Sequence, residues 1–164
     1  MSDAPHEQMA ENEHSGRSRP YLMFWIMMIL SLLVMYAAMF TMIDRWADFR
    51  NNLNMFYMTV TMWAPMGIIM LLAMRRMYKN KKANLAMLVV FAVLAVGSFT
   101  ATRTQALIDD RPFIDSMIPH HSGAILMCRE AALTDPELIA LCADISEGQR
   151  SEIEQMERIR DRLD

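Results

Sequence analysis

Residues 113–133 read FIDSMIPHHSGAILMCREAAL, and residues 134–137 continue TDPE. Apolar side chains recur there at intervals of three and four, the period of an amphipathic helix. Asp110, with Pro112 two residues on, reads as its cap and first turn. TDPE has the form of a capping box with Pro in the first turn, and it opens a second helix that runs to the end of the chain. In that second helix Leu138, Cys142, Ile145, Gln149, Glu152, Met156, Ile159 and Leu163 step by alternate fours and threes, a heptad seam interrupted by two polar residues. Two helices joined by so short a turn make a hairpin over residues 102–164, and the fold class is all-α.

At 100° per residue, Phe113, Ile114, Met117, Ile118, His120, His121, Ala124, Ile125, Met127, Cys128, Ala131 and Ala132 fall within an arc of about 180°. Both histidines lie inside it and flank Met117, whereas Asp115, Ser122, Arg129 and Glu130 point away. Pro119 removes a backbone donor just before the histidines, so a kink is expected there. Antiparallel pairing about residues 134–136 makes facing positions sum to about 270. Cys128 then faces Cys142, His121 faces Gln149, Met117 faces the level of Glu152 and Ile153, and Ile114 faces Met156.

A lone histidine on an apolar face is most often a hydrogen-bonded core residue, and methionine commonly fills irregular cores. Two adjacent histidines with Met at i−3 and i−4, facing Gln and Glu, read instead as a metal site, because so many buried polar groups are costly unless something satisfies them. Imidazole mixed with thioether suits copper, Cu(I) above all; harder cations would want more carboxylates.

The remainder of the chain reads as membrane. Of 164 residues 54% are hydrophobic, and three apolar runs, 21–43, 55–74 and 84–101, approach the length that crosses a bilayer, the third being the shortest. Residues 1–20 are polar and aperiodic, hold His6, Met9 and His14, and are expected to be a disordered cytoplasmic tail. The first run is longer than a signal-peptide core and starts late, so it reads as a retained anchor. Arg75, Arg76, Lys79, Lys81 and Lys82 crowd the second loop, which sets that loop and the N-terminus in the cytoplasm. Residues 102–164 then face outward, into the periplasm if the membrane is a bacterial inner membrane. From residue 101 on, thirteen acidic residues oppose seven arginines, a net of −6 that argues against nucleic acid and anionic lipid as partners of that part. The chain is methionine-rich, with 19 Met, and Met55, Met58, Met62, Met66, Met70, Met74 and Met77 form one stripe along the second run. The stripe reads either as a thioether ladder for Cu(I), with Pro65 kinking the helix, or as flexible packing and lipid-facing surface.

The segment FIDSMIPHHSGAILMCREA, the DPE helix start and LCADISEGQRSEIEQM resemble the bacterial domain-of-unknown-function family numbered three hundred and five, marked by M-x-x-H-H-x-x-A-I-x-M and then Q-x-x-E-I-x-x-M. The resemblance covers residues 110–160. It implies a ferritin-like four-helix arrangement of hairpins in periplasmic or membrane-anchored proteins linked to copper binding and copper resistance. Its positions carry over to Met117, His120, His121, Ala124, Ile125 and Met127, and to Gln149, Glu152, Ile153 and Met156. The family's pattern has small apolar residues where this chain has Cys128 and Cys142. Facing cysteines in an oxidising compartment favour a disulfide that pins the hairpin, with thiolate ligands or packed free thiols as alternatives.

The resulting expectation is a membrane-anchored protein, not an enzyme, that sequesters or buffers Cu(I) on the periplasmic side. Met117, His120, His121, Met127 and Met156 are its ligand set, with Gln149 and Glu152 orienting the imidazoles. A hairpin of about fifty residues buries little, so a homodimer or larger homo-oligomer completes the four-helix bundle, or the hairpin docks on its own spans. The alternatives are a ferritin-like metal-dependent redox enzyme, disfavoured because the hairpin has no Glu-x-x-His, and an accessory subunit docking a transporter, a copper exporter or oxidase among them.

Overall fold

The computed structural model describes the backbone of residues 4–163 and the side chains of residues 19–163. Among these the chain is all-helical: α1 (Ala4–Met39), α2 (Leu53–Ala73), α3 (Lys81–Thr104), α4 (Asp110–Glu130) and α5 (Pro136–Leu163). Two 3-10 turns, Phe40–Met42 and Trp46–Asp48, lie between α1 and α2. α1 is helical from Ala4, inside the stretch read as disordered; a helix that continues upstream from a stable span needs no new nucleus. The side chains of His6, Met9 and His14 lie outside the described residues.

Three helices are long and apolar enough to cross a membrane: Arg19–Met42, Leu53–Ala73 and Lys81–Thr104. The third has 24 residues, more than its apolar run suggested. Asn80 explains the early start, because its Oδ1 accepts the N–H groups of Lys82 and Ala83, each at 3.1 Å, as an N-cap does. Pro65 and Pro119 lie inside α2 and α4, which both continue through them.

The chain forms two compact units. One takes in the described residues up to 35 and residues 60–98. Its core is Phe24, Met28, Trp63, Ala64, Leu71, Tyr78, Met87 and Phe91. Trp63 donates its indole N–H to the Met28 carbonyl at 2.7 Å, and Thr61 donates to Ser98 at 3.0 Å, so the polar atoms of these apolar helices find partners within the bundle. Gly67 lets Phe91 lie against the α2 backbone: a Cβ there would stand 2.7 Å from the ring. Leu22, Ile26, Leu33, Val34, Ile69, Val93 and Val96 face outward, as apolar side chains do where the solvent is lipid. In the methionine stripe Met66 and Met70 pack against the core, while Met62, Met74 and Met77 are exposed.

The other unit takes in residues 36–59 and the described residues from 99 on, so the α4–α5 hairpin shares a packing unit with the segment that joins α1 to α2. α5 opens at Pro136, and Asp135 rather than Thr134 caps it, its Oδ1 accepting the Leu138 N–H at 2.9 Å. Proline prefers the first helical position, which makes the residue before it the cap and displaces the expected capping box by one residue.

Candidate metal centre

The hairpin is held by Ile114, Ile118, Ile125 and Ile153, with Met156 and Ile159 packed against them. A disulfide joins Cys128 to Cys142 near the turn, with Cα atoms 5.4 Å apart. Asp115 meets Arg160 at 2.8 Å at the other end. Between them Nδ1 of His121 stands 3.0 Å from Oε2 of Glu152. The register read from sequence sets Gln149 opposite His121, and the structure sets Glu152 there, about one turn further on. Helical side chains lean toward their own N-terminus, so in an antiparallel pair the tips from α4 and α5 lean in opposite directions and meet at a higher sum than their Cα atoms do.

His121 is largely buried, its side chain 13% exposed. Burial holds its imidazole below the ordinary value of 6.5, against the opposing pull of the Glu152 carboxylate and with a smaller push from His120. The contact with Glu152 is off the line of a hydrogen bond, and Nδ1 has no aligned partner among the described residues. A neutral, buried imidazole nitrogen is the form that ligates a metal, so this site has the chemistry of a donor.

The other expected ligands divide between two flanks of α4. Taking Met117 as zero, Ile114, His121, Ile125 and Ile118 lie at about +40 to +100° and face α5, whereas Phe113, His120 and Met127 lie at about −40 to −80°. The arc that faces α5 is therefore narrower than the 180° expected. His120 is exposed, Met127 is 62% exposed and Phe113 is 49% exposed. Met117 and Ala124, on the boundary, are half-buried. The two imidazole rings stand 5.9 Å apart. One hairpin thus gathers His121, Glu152 and the Met156 side of its core, and leaves His120 and Met127 on an open stripe. Gln149 is half-buried on α5, one turn before Glu152. Among the described residues no three of His, Cys, Asp and Glu converge as a metal group.

The contacts that position the hairpin on the α1–α2 segment were not read from sequence. Ser122, expected to point away, does leave α5, but it is fully buried on the α1–α2 segment. Its hydroxyl donates to Oδ2 of Asp48 at 2.6 Å and accepts the Asp44 N–H at 2.7 Å. Gly123 admits the carbonyl of Met42, which a Cβ there would meet at 3.0 Å. Arg129 pairs with Asp44, and Arg50 reaches Glu157 on α5 at 3.4 Å. The signal available in sequence was small residues, Ser-Gly, on a face otherwise taken as solvated, together with two aspartates in a short loop.

No solved structure matches the chain. A protein of Acanthamoeba polyphaga mimivirus, described as uncharacterized, is 33% identical over 145 residues, covering 85% of this chain and 91% of the relative. That relative is viral, and the bacterial setting expected from the resemblance draws no support from it. The family described as "Domain of unknown function (DUF305)" matches residues 72–160, which extends the likeness upstream through α3. The chain belongs to that family.

Proposed function

We propose that the chain is a membrane-anchored protein that binds and buffers Cu(I) on the outer side of the membrane, with copper tolerance as the benefit to its host. The observation that carries this reading is His121: a largely buried imidazole whose protonation burial disfavours, its Nδ1 without an aligned hydrogen-bond partner, beside a carboxylate and near His120. Met117, His120, His121, Met127 and Met156 are the ligand candidates, and Glu152 neutralises part of the ion's charge and orients the His121 ring. Neutral imidazoles with thioethers hold Cu(I) without a redox partner, which suits storage and transfer.

Three crossings with a cytoplasmic N-terminus and cytoplasmic α2–α3 loop leave the hairpin and the α1–α2 segment on one side, and their shared packing unit supports that topology. Phe113, Met117, His120, Ala124 and Met127 are spaced 4, 3, 4, 3, the seam of a coiled coil. In our reading a second hairpin packs on this stripe, completes a ferritin-like four-helix bundle and brings the outer ligands, His120 and Met127, into a shared site.

The test is a competition titration of the full chain in detergent with Cu(I), since α4 rests on residues 42–48 and the hairpin is not free-standing. Replacing both His120 and His121 by Ala should lower affinity by far more than Glu152→Gln, for which about tenfold is expected. Unchanged affinity in the double variant would sink the proposal.

A further inference from the structure

A cavity of about 580 Å³ lies in the unit that holds the hairpin, where α1 ends; it is walled by Tyr36, Ala37, Phe40, Trp46 and Phe49 with Arg45 among its lining residues. Its volume is within the range of about 300–1,000 Å³ usual for ligand sites. We infer that it is a binding site for one phospholipid molecule of the adjoining leaflet. The walls identify the occupant: Tyr36, Ala37 and Phe40 belong to the last turns of a helix apolar enough to cross the membrane, Arg19–Met42. A cavity there opens at the boundary between hydrocarbon and headgroups, the level at which Trp and Tyr concentrate. Trp46 is 86% exposed and Phe49 43%, an unusual display of aromatic surface for a face meeting water.

The polar end of the cavity fits a phosphodiester. Arg45 has its side chain 63% exposed and touches one carboxylate, Asp44, at 3.6 Å through Nε. That carboxylate is 3% exposed and already paired with Arg129, so the planar donors of Arg45 remain for a phosphate, which they match two at a time. Phe40 is buried and packs against Phe49 with ring centroids 4.5 Å apart and the rings tilted by 47°, and Tyr36 is hydrogen-bonded to Asn51, so the apolar wall is preformed.

Native mass spectrometry of the full chain in mild detergent tests this with three probes: dioleoylphosphatidylethanolamine, dioleoylglycerol, which has the same chains without phosphate, and inorganic phosphate. One phosphatidylethanolamine should be retained per chain, dioleoylglycerol about tenfold less, and phosphate alone not at all. Arg45→Gln should lower phospholipid retention about tenfold, to the level of the diacylglycerol. Ala37→Phe, which fills the cavity from a lipid-facing position, should abolish retention, whereas Val34→Phe, one turn earlier and outside the cavity, should leave it unchanged. Equal retention by wild type and Ala37→Phe overturns the inference, as does equal binding of diacylglycerol and phospholipid, binding of phosphate alone, or a second protein copy as the species that Ala37→Phe displaces. Retention of copper is independent of each of these arms.

Discussion

Ser122→Ala removes one hydroxyl and strands two groups. The Asp48 carboxylate, 7% exposed, loses a donor at 2.6 Å, and the Asp44 N–H loses its acceptor at 2.7 Å. A hydrogen bond to a buried charge contributes about 1.5–3 kcal/mol, and a stranded buried donor costs about 1–3 kcal/mol. The two overlap, so about 3 kcal/mol is expected, or roughly a hundredfold in the equilibrium for lifting the α1–α2 segment off α4. Hydrogen exchange of the full chain in micelles, read by mass spectrometry on peptides covering residues 40–50, measures that equilibrium directly. Ser116→Ala is the control, because Ser116 is also buried on α4 but returns its hydroxyl to the Phe113 carbonyl of its own helix at 2.8 Å. Exchange over residues 40–50 that rises by less than about threefold in Ser122→Ala, or equally in both variants, refutes the claim that this hydroxyl latches the helix to the loop.

Gly67→Ala drives a Cβ into the buried Phe91 ring and should cost about 1–3 kcal/mol, whereas Gly97→Ala, inside α3, meets nothing within 4 Å and should be neutral to slightly stabilising; thermal midpoints in detergent separate them. Opening the Cys128–Cys142 disulfide, which links residues 14 apart, should destabilise the hairpin by about 3 kcal/mol, seen as a lower urea midpoint with reductant; an unchanged midpoint denies the clamp its role. His121 has a folded value below its ordinary 6.5, so its contribution to stability is complete above that pH and is lost as pH falls through the lower, folded value. An NMR titration should find the His121 ring titrating below 6.5 and lower still in Glu152→Gln, where the opposing carboxylate is gone; a value at or above 6.5 contradicts the burial argument.

The spans were legible because lipid leaves long apolar runs, and the hairpin because a seam of alternate fours and threes has few other readings. The cysteine pair followed from antiparallel arithmetic, since both residues lie close to the turn where register error is small. Further out the same arithmetic set Gln149, not Glu152, beside His121, because it tracks Cα levels and not the lean of side chains. The rear face of α4 was illegible for a different reason. Ser122 meets Asp44 and Asp48 across more than seventy residues, and a contact of that separation leaves no period in the sequence. Small polar residues on a helix signify solvent or close approach equally well, and only the loop's position decides. The split of His120 from His121 has a similar origin: a helix wheel says which residues share a flank, not where along the arc the neighbouring helix sits.

Positions 120 to 123 look in four directions: His120 to the open stripe, His121 to α5, Ser122 to a loop side chain and Gly123 to a loop carbonyl. They share one turn of helix, so their duties are set by phase. A single inserted residue in the first turns of α4 advances that phase by about 100° and hands each duty to the wrong side chain, putting the His121 ring against the loop side chains and a serine against the Met42 carbonyl. An insertion of four returns it to within about 40°. Tolerated length changes before the histidine pair should therefore come in steps of three or four, a quantised pattern for natural and engineered variants that no composition bias would produce.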